Sequence, residues 1–536
     1  MTMLQSRMMA HSLILHNGNF VTLDAAQPRA QALVLRGDEI LYVGDDATAR
    51  RYQTRDSVTL DLQGKLALPA FTDAHIHFTG FAQSLENVDL SGCQNLAQAL
   101  ARVRERVAET PPNVLIWGGG WNNAEWDAPA FPDKRALDVV APHNPVILTR
   151  KDGHSVWLNS RALRDANITR ATLAPAGGVI DYDADGEPSG ILRENAIDLL
   201  GGGIGAFGNA LRPDILQRAL QYAHARGLTT IHNLEDANAM RALQTLHANG
   251  RLSLRVVHSI PVDKLTFAAA LGLQRGLGDE WFRFQAVKMF ADGSLGSRTA
   301  EMHEPYTDAP TLRGVAVTPS DALLDAARLA AQSNIDVWIH AIGDRAITRV
   351  LDVFAQLRAE GFAAARLRIE HVQHLHPSDV TRFRELNVIA SMQPLHQPSD
   401  MFVTDAALGP ARAAWTYAFK RLLDAGAPLA FGSDCPVEPL DPLRGIHAAA
   451  TRQNAADAPE EGWYPEQKIS ALDAVRAYTL GAAQSVGDAA RAGSLAVGKR
   501  GDVVVLQQNI FEIPAREIQH ATVACTISGG NVVYQA

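Results

Sequence analysis

The chain has 536 residues, 47% of them hydrophobic and 20% charged, and a net charge of −9. That length exceeds one simple core and calls for one large domain with additions, or for two or three domains. The negative balance argues against nucleic acid or an anionic membrane as the main partner, and three widely spaced cysteines (Cys93, Cys435, Cys525) argue against a disulfide framework and for a reducing compartment.

From about residue 12 to residue 59 the chain reads as short strands joined by turns. Ser12–His16 runs into Asn17-Gly18, a strong hairpin signal, and residues 32–35 and 40–44, separated by Gly37-Asp38, repeat the texture. Residues 1–16 lack a secretory h-region and cleavage site, and no apolar run reaches transmembrane length. The expected location is therefore cytoplasmic. A short apolar run, Leu66-Ala67-Leu68-Pro69-Ala70-Phe71, looks like a buried strand and leads into Thr72-Asp73-Ala74-His75-Ile76-His77. Strand residues two apart face one side, so His75 and His77 can aim two imidazoles at one point. Imidazole is a common ligand for zinc and related metals.

Residues 86–205 are too long for one connection and call for structure of their own. They carry Trp117, Trp121, Trp126 and Trp157, and glycine clusters at 118–120 and 201–205. Neither cluster has the strand, loop and helix order of a phosphate loop with its following Lys-Ser/Thr, and both read as turns or hinges. Beyond them, helical patterns such as 215–226 and 322–333 precede apolar runs at 227–233, 252–260, 284–290, 335–342, 367–372, 388–392 and 429–432. With the run before His75 these make eight buried strands, which predicts an α/β fold, a (β/α)8 TIM-like barrel with its site at the strands' C-terminal ends. Residues 502–506, 521–527 and 532–534 return to short strands. The expected division is a composite β-sandwich from residues 8–65 and 485–536, a barrel over 66–484, and an insertion or lid over 86–205.

Metal-capable residues recur where the predicted strands end. The first gives His75 and His77, the fourth Lys288, the fifth His340, the sixth His371 and the eighth Asp434. Each taken singly has an ordinary explanation: a hydrogen-bonded histidine, a lysine that snorkels, an aspartate in a turn. Joint occurrence at five strand ends is hard to assign to chance.

With these residues in view, the chain resembles the amidohydrolase superfamily, and within it amidohydrolase family 3, the YtcJ-like and N-substituted formamide deformylase branch. The likeness covers nearly the whole chain. It rests on residues 70–77, Gly119-Gly120-Trp121, the segment from Asp152-Gly153-His154 to Ser160, residues 186–194, Lys288 through Arg298, Gly432-Ser433-Asp434 and the tail 493–502. The resemblance implies a metal-dependent hydrolase with two divalent metal ions, zinc, one held by His75, His77 and Asp434 and the other by His340 and His371. Lys288 would bridge them. An ammonium cannot ligate a cation, so the resemblance also implies a carbamate on Lys288 formed from carbon dioxide. The implied reaction is cleavage of a C–N amide bond in a small N-acyl or N-formyl compound by a metal-bridging hydroxide, with Asp434 as general base and then general acid.

Around this centre, His154, Trp121, Trp157, Ser294 and Arg298 are candidate substrate contacts, and Asp292 and Asp344 candidate supports for the ligand histidines. For the tryptophans a place in the insertion's own core is the competing reading. Cys435 reads as a packed thiol. A mononuclear deaminase of the same superfamily is disfavoured, because His340-Ala341-Ile342-Gly343-Asp344 lacks the expected glutamate and Lys288 is present. Ester, lactone or phosphotriester hydrolysis stays open, since the same hydroxide attacks several electrophiles. A non-catalytic barrel scaffold is disfavoured, because every expected ligand position is filled. The expected partners are a small-molecule amide and a second copy of the chain as homodimer, with no nucleic acid and no membrane.

Overall fold

A computed structural model describes residues 12–123, 126–127, 130–151, 155–175, 178–200 and 213–536. The chain divides into two compact units, residues 1–78 with 220–536, and residues 79–219.

The first unit contains an eight-stranded parallel sheet. Its strands are β1 (Phe71–Ile76), β2 (Leu228–Asn233), β3 (Arg255–Pro261), β4 (Phe282–Phe290), β5 (Asp336–Ala341), β6 (Leu367–His371), β7 (Val388–Met392) and β8 (Leu429–Phe431). They are hydrogen-bonded in sequence order. Nearly every residue in them is buried, because helices cover one face and barrel side chains fill the other. This is why they read as apolar runs without alternation. The crossover helices include Ala237–Ala248, Ser320–Gln332 and Asp344–Ala359, and Pro442–Thr451 follows the last strand.

The seam between β8 and β1 is closed by the residues just past their ends. Asp434 N donates to His75 O at 2.7 Å and His77 N to Cys435 O at 2.9 Å. The buried Asp73 carboxylate accepts from His75 N and Ser433 N, both at 3.0 Å. A side chain at Gly432 would place its Cβ 2.4 Å from His75 N, so only glycine lets the last strand approach this closely.

The apolar run before His75 does not form a single strand. Residues Leu66–Pro69 pair antiparallel with Val503–Leu506 and parallel with Asn19–Val21, and the barrel strand starts afresh at Phe71. The ends of the chain build two sheets. One is ordered Glu39–Gly44, Ala32–Arg36, Ser12–His16, Val58–Asp61; the other Asn531–Gln535, Val523–Ser528, Val503–Leu506, Leu66–Pro69, Asn19–Val21, Arg29–Ala30. They share one core, in which Leu13, Leu33 and Leu35 of the first meet Phe20, Val505 and Ile527 of the second. The Asn17-Gly18 hairpin expectation is corrected. Ser12–His16 pairs with residues 32–36 and 58–61, not with Asn19–Val21, so Asn17 at φ 52° carries the chain from one sheet to the other. Buried Arg255 of β3 ties the sandwich to the barrel through Asp502, at 2.8 Å, and Asp38.

The second unit has its own mixed sheet, in the order Gly178–Tyr182, Pro188–Glu194, Ser155–Leu158, Val146–Arg150, Ile116–Trp121, Val88–Asp89. Asn95, Asp133 and Asn159 cap its helices Leu96–Glu109, Lys134–Val140 and Ser160–Asp165. Gly118-Gly119-Gly120 is neither turn nor hinge. It lies in Ile116–Trp121, where a Cβ at Gly118 would stand 2.3 Å from Val88 O and one at Gly119 2.7 Å from Thr149 O. The other cluster, 201–205, lies outside the described residues. Trp121 and Trp157 pack edge to face at 6.2 Å in the core of this unit, both fully buried, with their indole N–H groups on Leu148 O and Asp133 O. Trp121→Ala should therefore cost about 3–5 kcal/mol of stability, read as a lower denaturant midpoint; an unchanged midpoint would remove Trp121 from the core. No helix among the described residues is long and apolar enough to cross a membrane.

Candidate metal centre

The C-terminal ends of the barrel strands open on a cavity of about 460 Å³. His75, His77, Lys288, His340, His371 and Asp434 all line it. Lys288, His340 and His371 sit at the ends of β4, β5 and β6, and Asp434 follows β8. His371 and Asp434 take left-handed backbone angles, φ 77° and 59°. Such strain persists only where the surroundings over-determine it and gathers at functional sites.

His75 Nε2 and His77 Nε2 approach Asp434 Oδ1 at 3.3 and 3.1 Å. The candidate ligand atoms of these residues all lie within 4.8 Å of one another. His75 Nδ1 is 2.6 Å from Glu370 Oε2, and a carboxylate there fixes the proton on Nδ1, leaving the Nε2 lone pair toward Asp434. Electron-pair donors that face each other repel unless a cation lies between them. Ligand atoms of a tetrahedral zinc, at bond lengths of about 2.0–2.1 Å, stand about 3.3 Å apart, which these distances match. The residues therefore fit a divalent metal.

The second cluster differs in part from the expected one. His371 is brought together with His396 and Asp434, with candidate ligand atoms again within 4.8 Å. The His340 ring lies 4.6 Å from that of His371, and its Nε2 donates to Gly293 O at 2.9 Å, which leaves Nδ1 with the lone pair. His371 Nδ1 donates to Gln393 Oε1 at 2.9 Å. Burial and the nearby Lys288 charge push His340 down to about 3, and burial with the neighbouring imidazoles holds His371 well below the ordinary histidine value. Both are neutral and able to ligate near pH 7.

Burial brings Lys288 down to about 8 against the pull of Glu370 and Asp434, and its Nζ lies 4.0 Å from the Phe290 ring centre. With no cation between them, burial would raise Asp434, but a protonated His75 supplies the offsetting positive charge and holds the carboxyl well below the usual range, while, against its own burial, Asp434 and Glu370 raise His75 in turn. Burial opposes ionisation of Glu370 too; Arg368, paired with Oε1, and His75 overcome it. Arg368 in turn stacks on Trp338 at 3.9 Å and donates to Ala74 O at 2.6 Å. Glu370→Gln should lower metal affinity about 10- to 100-fold, measured by chelator competition; unchanged affinity would reduce Glu370 to a packing role.

Of the remaining candidates, Ser294 lines the cavity. Arg298 braces its own loop, bonded to Asp308 and to Leu295 O at 2.7 Å. Asp292 stands 3.5 Å from His340 Nε2 and accepts from Ile342 N and Gly343 N, while burial raises it to about 7. Asp344 starts its helix and accepts from His303 N. Trp121 and Trp157 are spent in the second unit's core, and His154 lies outside the described residues. The Cys435 thiol is buried, which raises it far above its ordinary value. Sequence reasoning missed Glu370, Gln393 and His396. The available signal for His396 is a histidine four residues past β7, a late barrel strand whose end otherwise offers no ligand.

The profile of the amidohydrolase family matches residues 58–534. The chain is similar to YtcJ of Bacillus subtilis (strain 168), at 30% identity over 97% of this chain and 99% of that one. It is also similar to an N-substituted formamide deformylase of Arthrobacter pascens, at 27% identity over 98% of each. The crystal structure of an uncharacterized metal-dependent hydrolase from Pyrococcus horikoshii OT3 superposes with a TM-score of 0.80 at 28% identity, over 94% of this chain and 99% of that one.

Proposed function

We propose, because this chain belongs to the amidohydrolase family of metal-dependent hydrolases, that its barrel cleaves the C–N bond of a small N-acyl or N-formyl amine with two divalent cations, zinc. His75, His77 and Asp434 would hold one, His340 and His371 the other, and a carbamate on Lys288 would join them. The observation that carries this reading is the convergence of His75, His77 and Asp434 beside a buried lysine at the strands' C-terminal ends. Similarity to a formamide deformylase supports the amide bond as target. When bound, the cations would lower the pKa of water and polarise a carbonyl.

The remaining work falls to the chain. Asp434 is an ionised carboxylate placed to take a proton and return it to the departing nitrogen. Glu370 sets the His75 tautomer. Phe290, Leu295, Ile342 and Val437 give the cavity an apolar wall for the substrate's hydrocarbon part. Low local polarity makes part of Lys288 a free amine, the form that adds to carbon dioxide with loss of a proton. The same reading keeps a sandwich of residues 8–65 and 485–536, a barrel over 66–484 and a lid over 86–205, and takes the protein as a cytoplasmic homodimer.

The test joins elemental analysis to a panel of N-formyl and N-acyl amines, followed by release of the free amine. About two zinc per chain with amine release is the expected result. Metal-loaded protein that releases no amine but opens lactones or esters would move the reading to ester hydrolysis. Protein that takes up no metal would support the scaffold.

A further inference from the structure

His396 opens the helix His396–Leu408, and Asp400 lies four residues on, on the same face. Both line the cavity, as does Glu438 from the segment after β8. His396 is 6% exposed, and its Nε2 has no hydrogen-bond partner. Gln373 Nε2, which can only donate, meets His396 Nδ1 at 3.2 Å, so the proton sits on Nε2. That N–H is 3.6 Å from Asp434 Oδ2, beyond hydrogen-bond reach. It is a buried donor waiting for an acceptor beside the proposed reacting centre.

The carboxylates have the opposite need. Asp400 accepts from the Tyr417 hydroxyl and Glu438 from Ser399, each through one oxygen. Burial raises Glu438, and the charge of Asp400 adds to this while the Ser399 bond, His396 and Arg444 oppose it. Among the described residues that line the cavity there is no arginine, and Lys288 is the single lysine.

Resting on the amide-hydrolase reading above, we infer that the cavity selects amides that carry a protonated amine, the ammonium held by Asp400 and Glu438 and the amide oxygen by His396 Nε2–H. The aliphatic link between the two groups would lie along Phe290 and Val437. Anionic amides are excluded by the same pair of charges.

The test compares three amides of matched length: 6-aminohexanamide, heptanamide and the monoamide of adipic acid. Binding to the metal-loaded enzyme is followed by ligand-observed NMR, which reads occupancy whether or not the amide turns over. Binding without turnover would thus count against the hydrolase reading while supporting the subsite. The cationic amide should bind about tenfold or more tightly than either of the others, and the preference should vanish in Asp400→Asn with Glu438→Gln at unchanged metal content. Each single variant, checked for an unchanged melting temperature, should lose part of it. His396→Gln should weaken all three amides alike. Equal binding of the three, no binding of 6-aminohexanamide, a preference that survives both acid substitutions, or metal loss in those variants would overturn the inference. A His396→Gln effect confined to the cationic amide would overturn the role of His396.

Discussion

Asp434→Asn is expected to lower kcat by about 10³-fold or more with the fold intact. Asn keeps the shape of the side chain and tolerates the left-handed φ of 59° that this position demands. The backbone bond from residue 434 N to His75 O, which helps close the barrel seam, is independent of the side chain. What disappears is the negative charge facing His75 Nε2 and His77 Nε2 at 3.3 and 3.1 Å, and with it an oxygen able to take a proton and stay in place. The amide nitrogen that replaces one oxygen has no lone pair to offer, so part of the damage falls on metal affinity. Separating the two needs kcat measured at saturating zinc. A variant that stays about 10³-fold slow at full metal occupancy has lost proton transfer. Near-normal turnover would exclude Asp434 from that role.

The barrel strands are legible because burial on both faces leaves an unbroken apolar run, and the candidate ligands because they fall at or just past the end of such a run. The same rule misleads at the first strand. Residues from Leu66 to Ile76 are buried without interruption, so nothing in their hydrophobicity marks the change from the sandwich sheet to the barrel at Ala70. Asn17-Gly18 carries real turn chemistry, but a turn does not name its strand partners; those are set by residues 32–36 and 58–61 far along the chain. Gly118 and Gly119 look permissive, whereas Val88 crowds the first and Thr149 the second until only glycine fits. His396 and Glu370 are unreadable as site residues for a related reason. Their roles exist only once the β7 connection folds His396 toward Asp434 and β6 places Glu370 across from His75.

Lys288→Met is expected to abolish amide hydrolysis, by about 10³-fold or more, and to empty the site of metal without unfolding the protein. Lys288 lies near the C-terminal end of β4, in register with Pro261 of β3 and Trp338 of β5, and is 6% exposed. A buried ammonium there is costly, and beside two cations it would be repelled by both. Under the proposed two-metal reading it would enter the site as the negatively charged carbamate, which removes both penalties. Met preserves the stem's volume and removes the charge, so the metal-free variant should melt no lower than metal-free wild type. A lysine kept for structure gives the opposite pattern, with lower stability and retained activity. Lys288→Ala sharpens the distinction, because it leaves room along the lost stem. Propionate or a similar short carboxylate added to that variant with zinc should restore part of the turnover by standing where the proposed carbamate would stand, whereas propylamine of the same reach should not. Rescue by the amine instead would mean that Lys288 acts as a cation, and the bridging role would fall.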